Sequence, residues 1–565
     1  MNRLVFTRHK PGTDRTRGAD FQTCCIADLQ IGWAARCQAR WTGRWLPWQL
    51  AATTAMLVLV AAGQGAETAL NQPDRPMAQP AGGTNSTSFC LIPWPASVEA
   101  QPGLFVLNES TAVVAEPAFT NEAGLLAEAL HLPQAASAAE NRIMLTTAGA
   151  TGMAAEGYLL EAGPRGVTIR ATSPAGAFYG CQTLRQLLGP GAQRIPSVTI
   201  ADAPRYAWRG LMLDVSRHFF DPPTVRRVLD WMADYKLNRL HLHLTDDPGW
   251  RVEISKYPEL TRAGARGNYS DTNAPPRFFT RADLRDIVAY AARRHIVVAP
   301  EIDMPGHASA ATRAFPRLDG GAHTFNPVRE ETYTLLQNTL LEVMEVFPSP
   351  WIHFGGDEVD CRQWQVSDPP KVEGITLPQQ MEGYFVRRMS GFISQQGRRP
   401  AGWDDIVAAK PGTNTVVFWW RHDKPEILAQ ALAAGYSVVL TPRAPCYFDY
   451  PQDKSYPTSN WKLCNTPEAV YSGPKIPASL TAEQRERILG VEACVWTERI
   501  STVPYLEFML LPRLPALGET AWTPDGRRDF AQFSARLQPF LAQYRRLGIH
   551  FYDANDPENS LREAE

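Results

Sequence analysis

The sequence lacks an excess of charge of either sign. Its 565 residues include 56 Lys and Arg against 58 Asp and Glu, which gives a net charge of −2 and a pI near 6.6. Dedicated nucleic-acid binders are normally basic, so we expect no nucleic-acid partner. Hydrophobic residues make up 44% of the chain, close to the globular average, and this excludes global disorder.

Cysteine is scarce as well. Nine cysteines in a chain of this length are too few for a disulfide scaffold, and no CxxC pair occurs. Cys446 and Cys464 flank one loop and are a candidate disulfide pair. We expect most of the other cysteines to be buried free thiols.

Long apolar runs are missing except near the start of the chain. Residues 50–62 read LAATTAMLVLVAA; a basic flank precedes them, and a linker rich in Pro, Gly, Ser, Thr and Asn follows. This order is typical of a secretory signal peptide, so we predict an exported protein, periplasmic or secreted. The uncharged stretch from about 45 to 66 is just long enough to span a bilayer, so an uncleaved anchor, and with it contact with the membrane, is the alternative.

The remainder of the chain reads as two folded regions. The predicted organisation is an export segment or anchor with its linker at 1–88, a small domain at 89–203, a barrel at 204–548 and a C-terminal tail at 549–565. In the small domain, short β-like runs surround helical stretches near 121–130 and 176–188. This mixture predicts an α+β fold.

Eight strand-like runs alternate with amphipathic helices after residue 204. The runs are RGLMLDVS, RLHLHLTDD, HIVVAPEIDM, WIHFGGDE, RPAGWDD, TVVFWW, SVVLTP and LGVEACVWTE, with helices predicted at 224–235, 281–294, 330–346 and 379–396. Parallel strands need crossover helices, and eight such units close a (β/α)8 TIM barrel, so the fold class is α/β. An open doubly wound sheet is the alternative, but the sequence has no GxGxxG or GxxxxGKS/T loop that would favour it.

Polar and aromatic residues recur where these strand-like runs end. Active sites of such barrels lie at the carboxyl ends of the strands. A solvated loop explains acids there but not tryptophans beside them, whose flat apolar rings suit the face of a sugar. The pattern therefore predicts a glycan site, built from Asp214, Arg217, Asp246, Asp247, Glu301, Asp303, His307, Asp357, Glu358, Trp403, Asp404, Asp405, Trp419, Trp420, Arg421, Trp496 and Glu498.

The segment HFGGDE, residues 353–358, is the most informative of these strand ends. Its two glycines let the backbone approach a ligand closely, and two adjacent carboxylates, Asp357 and Glu358, follow. Neighbouring side chains on an extended strand point to opposite sides, so both can serve one substrate only after a local twist. Like charges held together raise one pKa, which gives a proton donor beside a carboxylate. A solvated acidic turn is the alternative interpretation of this segment taken alone.

Adjacent carboxylates suit one scheme of glycoside cleavage better than another. Retaining enzymes with an acid and a carboxylate nucleophile hold the two groups about 5 Å apart, a spacing that side chains on two different strands provide more readily. In the other scheme, one residue protonates the glycosidic oxygen and its neighbour orients a nucleophile carried by the substrate, such as a 2-acetamido carbonyl. A two-carboxylate glycosidase and a non-catalytic glycan-binding barrel remain the alternatives.

Eight motifs occur in this order along the chain: DVSRHFF, HLHLTDDPGWR, PEIDMPGH, HFGGDE, GWDD, FWWR, YFDY and VWTE. Taken together, they resemble the motif series of family 20 glycoside hydrolases, the β-N-acetylhexosaminidases. The resemblance covers about residues 90–545, including the small domain. It implies an exo-acting enzyme that hydrolyses terminal non-reducing β-linked GlcNAc or GalNAc with retention, through an oxazolinium intermediate. The substrate it implies is a glycan or aminosugar oligosaccharide, and no cofactor is expected.

The same resemblance implies a role for each matching residue. Glu358 matches the general acid/base, and Asp357 matches the residue that orients the acetamido N–H. Tyr447 matches the hydroxyl donor to the acetamido carbonyl oxygen, and Arg217 matches the guanidinium that holds two sugar hydroxyls. The remaining matches are hydroxyl contacts (Asp449, Glu498), an aromatic box (Trp403, Trp420, Trp496) and a supporting network (Asp246, Asp303, His307). Trp419 and Asp247 stay open as alternatives to their neighbours Trp420 and Asp246.

Two histidines raise the question of a metal. His241 and His243 lie on one face of a predicted strand, as zinc-binding pairs do in metal-dependent barrels. They stand in the middle of the strand, and the other histidines do not complete an evident ligand set. We therefore predict packed, hydrogen-bonded roles for both residues and no metal.

Overall fold

The structure is a computed structural model that describes residues 89–136, 141–189, 191, 193–364, 374–454 and 463–564. The predicted export segment and linker, 1–88, lie outside the described residues. Within the described ranges, no helix is both long enough and apolar enough to cross a membrane.

The small domain is a six-stranded mixed sheet covered by two helices, as the sequence predicts. Its strands are β1 Ser97–Val106, β2 Ala112–Ala115, β3 Arg142–Thr146, β4 Tyr158–Gly163, β5 Gly166–Arg170 and β6 Arg194–Asp202, arranged in the order β1-β6-β4-β5-β3-β2. Its helices are α1 Thr120–Leu130 and α2 Pro174–Leu188. Helix α2 begins where the Ser173 side chain accepts a hydrogen bond from the Gly176 N–H, because this serine satisfies one of the unpaired donors of the first turn.

Strand β6 is not predicted by the sequence pattern. Pro196 lies inside it, and a proline normally argues against a strand with neighbours on both sides. In the structure Pro196 pairs with Leu104, next to the point where the register of β1 shifts. The irregular ladder accommodates a residue without an N–H at this position.

Eight parallel strands close into a barrel, which confirms the predicted TIM fold. They are β7 Trp208–Asp214, β8 Arg239–His243, β9 Val297–Glu301, β12 Trp351–His353, β13 Arg399–Trp403, β14 Val416–Trp419, β15 Ser437–Leu440 and β16 Ile488–Val495. Strand β16 pairs with β7, and His353 of β12 pairs with Glu301 of β9. A small hairpin, β10 Asp319–Gly321 and β11 Thr324–Phe325, interrupts the connection between β9 and β12.

Helices surround the barrel, and several begin at clear capping residues. Asp221 accepts from the Thr224 N–H before the helix Pro222–Asp234, and Thr280 and Asp283 form a capping box before the helix Arg281–Ala292. The remaining helices are α3 Pro222–Asp234, α4 Glu259–Arg262, α5 Arg281–Ala292, α6 Ser309–Ala314, α7 Glu330–Val346, α8 Pro378–Gln395, α9 Pro425–Ala433, α10 Pro467–Ser472, α11 Ala482–Glu486, α12 Val503–Leu510, α13 Arg513–Trp522, α14 Phe530–Leu547 and α15 Pro557–Ala564. Shorter helical turns lie at Pro117–Phe119, Pro316–Leu318, Cys361–Gln363, Asp404–Ala409, Arg443–Cys446 and Asp525–Arg527.

The residues predicted as a C-terminal tail pack against the barrel. Phe551 and Tyr552 are buried, and the Tyr552 N–H donates to the Leu511 carbonyl at 3.0 Å. Helix α15 follows and contacts α12. This segment therefore adds to the hydrophobic core.

The candidate disulfide between Cys446 and Cys464 does not form. Both are free thiols; Cys446 is buried beside β16, whereas Cys464 is partly exposed. The other described cysteines, Cys90, Cys181, Cys361 and Cys494, are also free. Burial raises the pKa of the Cys446 thiol, which keeps it protonated and unreactive.

A buried ion pair joins the small domain to the barrel. The Asp202 carboxylate at the end of β6 pairs with Lys236 Nζ at 3.0 Å, and neither side chain is more than 1% exposed. The same carboxylate accepts hydrogen bonds from Tyr158 Oη at 2.7 Å and from Trp522 Nε1 at 2.9 Å. Because the Asp202 carboxylate has both a counter-ion and hydrogen-bond donors, the two buried charges are tolerated away from water.

Asp202→Asn tests this junction. We expect it to lower the free energy of unfolding by about 3 kcal/mol or more, because the Lys236 charge would stay buried without its counter-ion. Asp525→Asn is the matched control, since its carboxylate is 61% exposed where it pairs with Arg205, and a loss below about 1 kcal/mol is expected there. Urea unfolding followed by tryptophan fluorescence measures both, and equal losses would contradict the interpretation.

Candidate active site

The HFGGDE turn carries the two adjacent carboxylates at the carboxyl end of β12. Gly355, Gly356 and Glu358 all have positive φ, at 69°, 91° and 51°. A Cβ at Gly355 would lie 1.7 Å from Asp303 Oδ1, so this position admits only glycine. The left-handed Glu358 supplies the local twist that two neighbouring carboxylates need in order to face one substrate.

Glu358 combines exposure to a ligand with a perturbed acidity. Its side chain is 62% exposed, so it is open to solvent and to a bound molecule. Surrounding protein atoms and then the charge of Asp357 raise the pKa of the Glu358 carboxyl above its usual value. A glutamic acid of this kind holds its proton at a higher pH than a free one and is suited to donate it.

His307 lies between the carboxylate pair and a second acid. Its Nε2 is 3.6 Å from Asp357 Oδ2 and 3.8 Å from Glu358 Oε2, while its Nδ1 is 3.2 Å from Asp246 Oδ1. Burial alone would lower the pKa of this imidazole, but its carboxylate neighbours, Asp246 foremost, raise it well above its usual value. His307 is therefore a cation that compensates the acids on both sides.

Asp303 is buried directly beneath this cluster. Its Oδ1 accepts a 3.4 Å hydrogen bond from the Gly356 N–H, and its Oδ2 has no hydrogen-bond partner among the described residues. Burial and the neighbouring charge of Asp357 raise the pKa of the Asp303 carboxyl well above its usual range. Asp303 therefore holds the turn from beneath, and its raised pKa favours the protonated form.

Arg217 follows β7 and shares the Asp246 carboxylate with His307. Its Nη2 pairs with Asp246 Oδ2 at 2.6 Å, and its Nη1 lies 3.4 Å from Asp214 Oδ2. Its Cζ lies 4.8 Å from the centre of the Trp496 ring, and Glu498 is 4.0 Å from Nη2. Asp214 and Asp246 therefore hold the guanidinium in place, whereas Glu498 lies too far from it for a hydrogen bond.

Asp449 and Glu498 form an acidic pair with unused hydrogen-bonding capacity. Asp449 Oδ1 is buried without a hydrogen-bond partner in the described part of the chain. Burial, followed by the charge of Glu498, raises the pKa of the Asp449 carboxyl well above its usual value, and burial raises that of Glu498. Two such groups offer both donors and acceptors to the hydroxyls of a ligand.

An aromatic wall closes the pocket between these groups. Trp403 and Trp496 lie with ring centres 5.6 Å apart, and Tyr447 is 6.1 Å from Trp496. Trp420 stacks on Tyr447 at 6.5 Å with an interplanar angle of 17°. These four rings form a continuous apolar surface beside the carboxylates.

The structure separates the two adjacent tryptophans that the sequence left as alternatives. Trp419 is buried among Leu428 and Leu432 in the layer between strands and helices, and its indole donates to the Lys424 carbonyl. Trp420, the next residue, contacts the pocket. Alternation along the strand gives these neighbours opposite faces.

The two adjacent aspartates are separated in the same way. Asp246 is 2% exposed and contacts both Arg217 and His307. Asp247 is 28% exposed, accepts from the Ser309 hydroxyl at 2.6 Å and reaches His307 at 3.6 Å. Asp246 is thus the inner member of the network, with Asp247 outside it.

Glu301 underlies the pocket more deeply than the sequence indicated. It accepts from Trp403 Nε1 at 2.9 Å, its Oε1 lies 2.8 Å from His353 Nδ1, and it also contacts His241 and His243. Although burial favours its protonated form, the histidines hold the pKa of Glu301 well below its usual value. His241 and His243 are thus buried and hydrogen-bonded inside the barrel.

Glu492 is the residue of this inner network that the sequence analysis missed. It accepts from Trp208 Nε1 and from His241 Nδ1, each at 2.9 Å. The available signal was a lone acid in the otherwise apolar strand LGVEACV, because an acid inside a barrel must have a partner.

Several of these residues also have the side-chain chemistry of metal ligands. In the described part of the chain, four groups have ligand atoms within 4.8 Å of one another: His241, Glu301 and His353; His243, Asp246 and Asp303; Asp246, Asp247 and His307; and Asp303, His307 and Asp357. In each group a histidine nitrogen already lies within 3.6 Å of a carboxylate oxygen. The groups therefore compensate their own charges, and the absence of a metal stays a prediction.

Comparison with known families agrees with this geometry. The catalytic domain of glycosyl hydrolase family 20 matches residues 206–525, and domain 2 of the same family matches residues 89–203. The chain belongs to glycosyl hydrolase family 20. The family 20 chain is therefore a glycoside hydrolase, as its sequence predicted.

Curated relatives and solved structures share the fold over most of the chain. The β-hexosaminidase of Porphyromonas gingivalis is 34% identical over 70% of this chain, although the match spans only about half, 54%, of that relative. The β-N-acetylhexosaminidase of Cellulomonas fimi is 34% identical over 70% of this chain and 80% of its own length. The family 20 β-N-acetylhexosaminidase structure from Streptomyces coelicolor superposes with a TM-score of 0.74 at 33% identity, covering 84% of this chain and 99% of its own.

Gly355→Ala tests the tight turn under the carboxylate pair. We expect loss of most glycosidase activity, because the added Cβ would collide with Asp303 and displace Asp357 and Glu358. Gly397→Ala is the control: Gly397 has a similar φ of 74° with nothing within 4 Å of an added Cβ, so about 1 kcal/mol of stability is lost there without loss of activity. Hydrolysis of an aryl glycoside and thermal unfolding distinguish the two; comparable turnover by both variants would refute the steric argument.

Proposed function

We propose that the protein is an exo-acting β-N-acetylhexosaminidase. It releases terminal non-reducing β-linked GlcNAc or GalNAc with retention, and the acetamido carbonyl oxygen of the substrate is the nucleophile. The observation that carries this proposal is the pair Asp357 and Glu358 on one left-handed turn, facing the aromatic wall. A pair from a single turn leaves the nucleophile to the substrate.

Glu358 is the general acid and then the general base. Its raised pKa retains a proton for the glycosidic oxygen, and the bond from that oxygen to the anomeric carbon breaks as the proton is transferred. The resulting carboxylate then accepts a proton from the water that opens the oxazolinium ring. Protonated His307, 3.8 Å away, stabilises the carboxylate between these two steps.

Asp357 and Tyr447 act on the acetamido group. As the carbonyl oxygen attacks the anomeric carbon, positive charge develops on the nitrogen, and a fixed carboxylate beside it is preorganised to stabilise that charge. Tyr447 is buried, and burial raises the pKa of its hydroxyl well above the usual value, so it remains a donor to the carbonyl oxygen. Asp357 Oδ1 is free to accept, because it has no hydrogen-bond partner in the described structure.

Recognition of the sugar divides between polar and aromatic groups. Arg217 binds two ring hydroxyls through its fork of donors, and Asp449 and Glu498 bind further hydroxyls. Trp403, Trp420 and Trp496 enclose the acetamido methyl and the sugar face and exclude water. Asp246, Asp303 and His307 support the acid/base from below.

Solved relatives support the substrate class. A family 20 exo-β-N-acetylglucosaminidase from Vibrio harveyi, determined in complex with N-acetylglucosamine, superposes on this chain with a TM-score of 0.75 at 28% identity, covering 86% of this chain and 81% of its own. We further propose that the substrate is met outside the cytoplasm, in the periplasm or the medium. The signal-like segment at 50–62 supports this location, and its retention as a membrane anchor is the alternative that cell fractionation decides.

A panel of aryl glycosides tests the activity. We expect efficient hydrolysis of 2-acetamido β-glycosides and little hydrolysis of plain β-glucosides, because only the former carry the nucleophile. A thiazoline analogue of the cyclised intermediate should inhibit strongly. Efficient glucoside cleavage would refute substrate assistance, and binding of GlcNAc without turnover of any substrate would favour a non-catalytic barrel.

Glu358→Gln separates the acid role from binding. We expect turnover of substrates with poor leaving groups to fall by about a thousandfold, because the departing oxygen receives no proton. An activated aryl glycoside needs little protonation, so its glycosylation step should suffer far less. Steady-state kinetics on the two substrates checks this, and an equal loss on both would argue against Glu358 as the acid.

A further inference from the structure

Asp405 lies at the edge of the pocket and has no role in the proposed reaction. It follows β13 in the first turn of the Asp404–Ala409 helix, and its carboxylate is 18% exposed. Its Oδ2 accepts from Trp420 Nε1 at 2.9 Å, and its Oδ1 pairs with Arg421 Nη1 at 3.0 Å. The side chain therefore connects the end of one barrel strand to the aromatic residue of the next.

The indole N–H of Trp420 is held only at this point among the described contacts. On its faces the ring stacks on Tyr447 at 6.5 Å, and Arg443 lies 5.1 Å from its centre. Its backbone N–H donates to Asp404 at 3.1 Å, which fixes the main chain but leaves the side-chain torsions free. Asp405 is thus the contact that fixes the orientation of the indole.

Asp405 also acts electrostatically on the acid. Burial, followed by the charge of Asp357, raises the pKa of the Asp405 carboxyl to about 6. In turn, the charge of Asp405 is one of those that raise the pKa of Glu358. The charged groups that act on Glu358 are Asp357, His307, Asp405 and Arg217, and those coupled to Asp405 are Asp357, Glu358, Arg421, Asp404 and Glu382.

We propose that Asp405 is a positioning residue with two effects. It fixes the orientation of Trp420 in the aromatic wall by accepting from the indole N–H, and its negative charge favours the protonated form of Glu358. The inference rests on the proposed function, because it assigns both effects to that reaction. The sign follows from repulsion: a second negative charge near Glu358 disfavours its ionised form. Above about pH 6 Asp405 is ionised, so in that range its charge helps to raise the pKa of Glu358.

Asp405→Asn removes the charge and keeps an oxygen that can accept from the Trp420 indole. We expect the alkaline limb of kcat/KM against pH to move to lower pH by about half a unit or more, because Glu358 loses its proton sooner. KM should stay within about threefold, since the wall is retained. Asp405→Ala should give the same shift together with a rise in KM of about tenfold, the equivalent of one lost hydrogen bond.

Two further variants keep the two effects apart. Trp420→Phe removes the N–H and leaves the charge, so it should raise KM without moving the alkaline limb. Asp423→Asn is the control for charge removal, because Asp423 is 53% exposed on the neighbouring loop; an unmoved limb is expected. Circular dichroism and thermal unfolding establish that each variant is folded.

The outcomes are distinct from those for the function itself. If the unmodified protein fails to hydrolyse 2-acetamido glycosides, the proposed function is wrong. If it hydrolyses them but Asp405→Asn leaves the limb in place, the electrostatic effect is refuted. If Asp405→Ala leaves KM and thiazoline affinity unchanged, the positioning effect is refuted, and a limb shift in Trp420→Phe as large as in Asp405→Asn would attribute that shift to the wall.

Discussion

The compensation of four carboxylates by one imidazole is the constraint on which the site depends. His307 contacts Asp246 and Asp247 through one ring nitrogen and Asp357 and Glu358 through the other. Without a cation at this point, so many carboxylates in a partly dry pocket could not all be ionised. The charged imidazole thus lies 3.6 Å from Asp357 Oδ2 and 3.8 Å from Glu358 Oε2, so the two neighbouring acids share one cation.

The inside of the barrel supports this arrangement with charges of its own. Glu301 ties His241, His243 and His353 together and holds the Trp403 indole, and His243 continues the chain of contacts to Asp246. Barrels of this type usually fill the interior with branched apolar side chains. Buried ion pairs add little net stability over apolar packing, so the effect of this network is to fix the positions of the three histidine side chains and of the Trp403 indole. The Glu301 carboxylate thereby supports both Trp403 and, through His243, the acid network that includes Asp246.

Periodicity was sufficient to predict the fold and the polar and aromatic residues at the strand ends, whereas Tyr447 and Asp449 entered only through the resemblance of YFDY to a family 20 motif. Apolar runs ending in acids and tryptophans predicted the barrel strands, and parallel strands bring their carboxyl ends to one edge. Periodicity does not tell which of two identical consecutive residues faces the pocket. Trp419 and Trp420 therefore remained alternatives until the structure showed the face on which each side chain lies. Periodicity also failed for β6, where Pro196 hides the strand, and for Glu492, whose partners come from distant strands. These last features depend on which residues meet in space.

The aromatic wall and the perturbed acids have a common physical cause. Rings such as Trp403 and Trp496 exclude water from the pocket, and loss of water favours the protonated form of a carboxyl. The same burial raises the pKa values of Asp449 and Glu498 and leaves a buried oxygen of Asp449 without a partner. Unpaired polar atoms in a dry pocket are costly, and a ligand that brings hydroxyls at those points relieves the cost, whereas one that lacks them does not. The enclosure that raises the pKa values of Asp449 and Glu498 therefore also makes the pocket selective for a hydroxylated ligand.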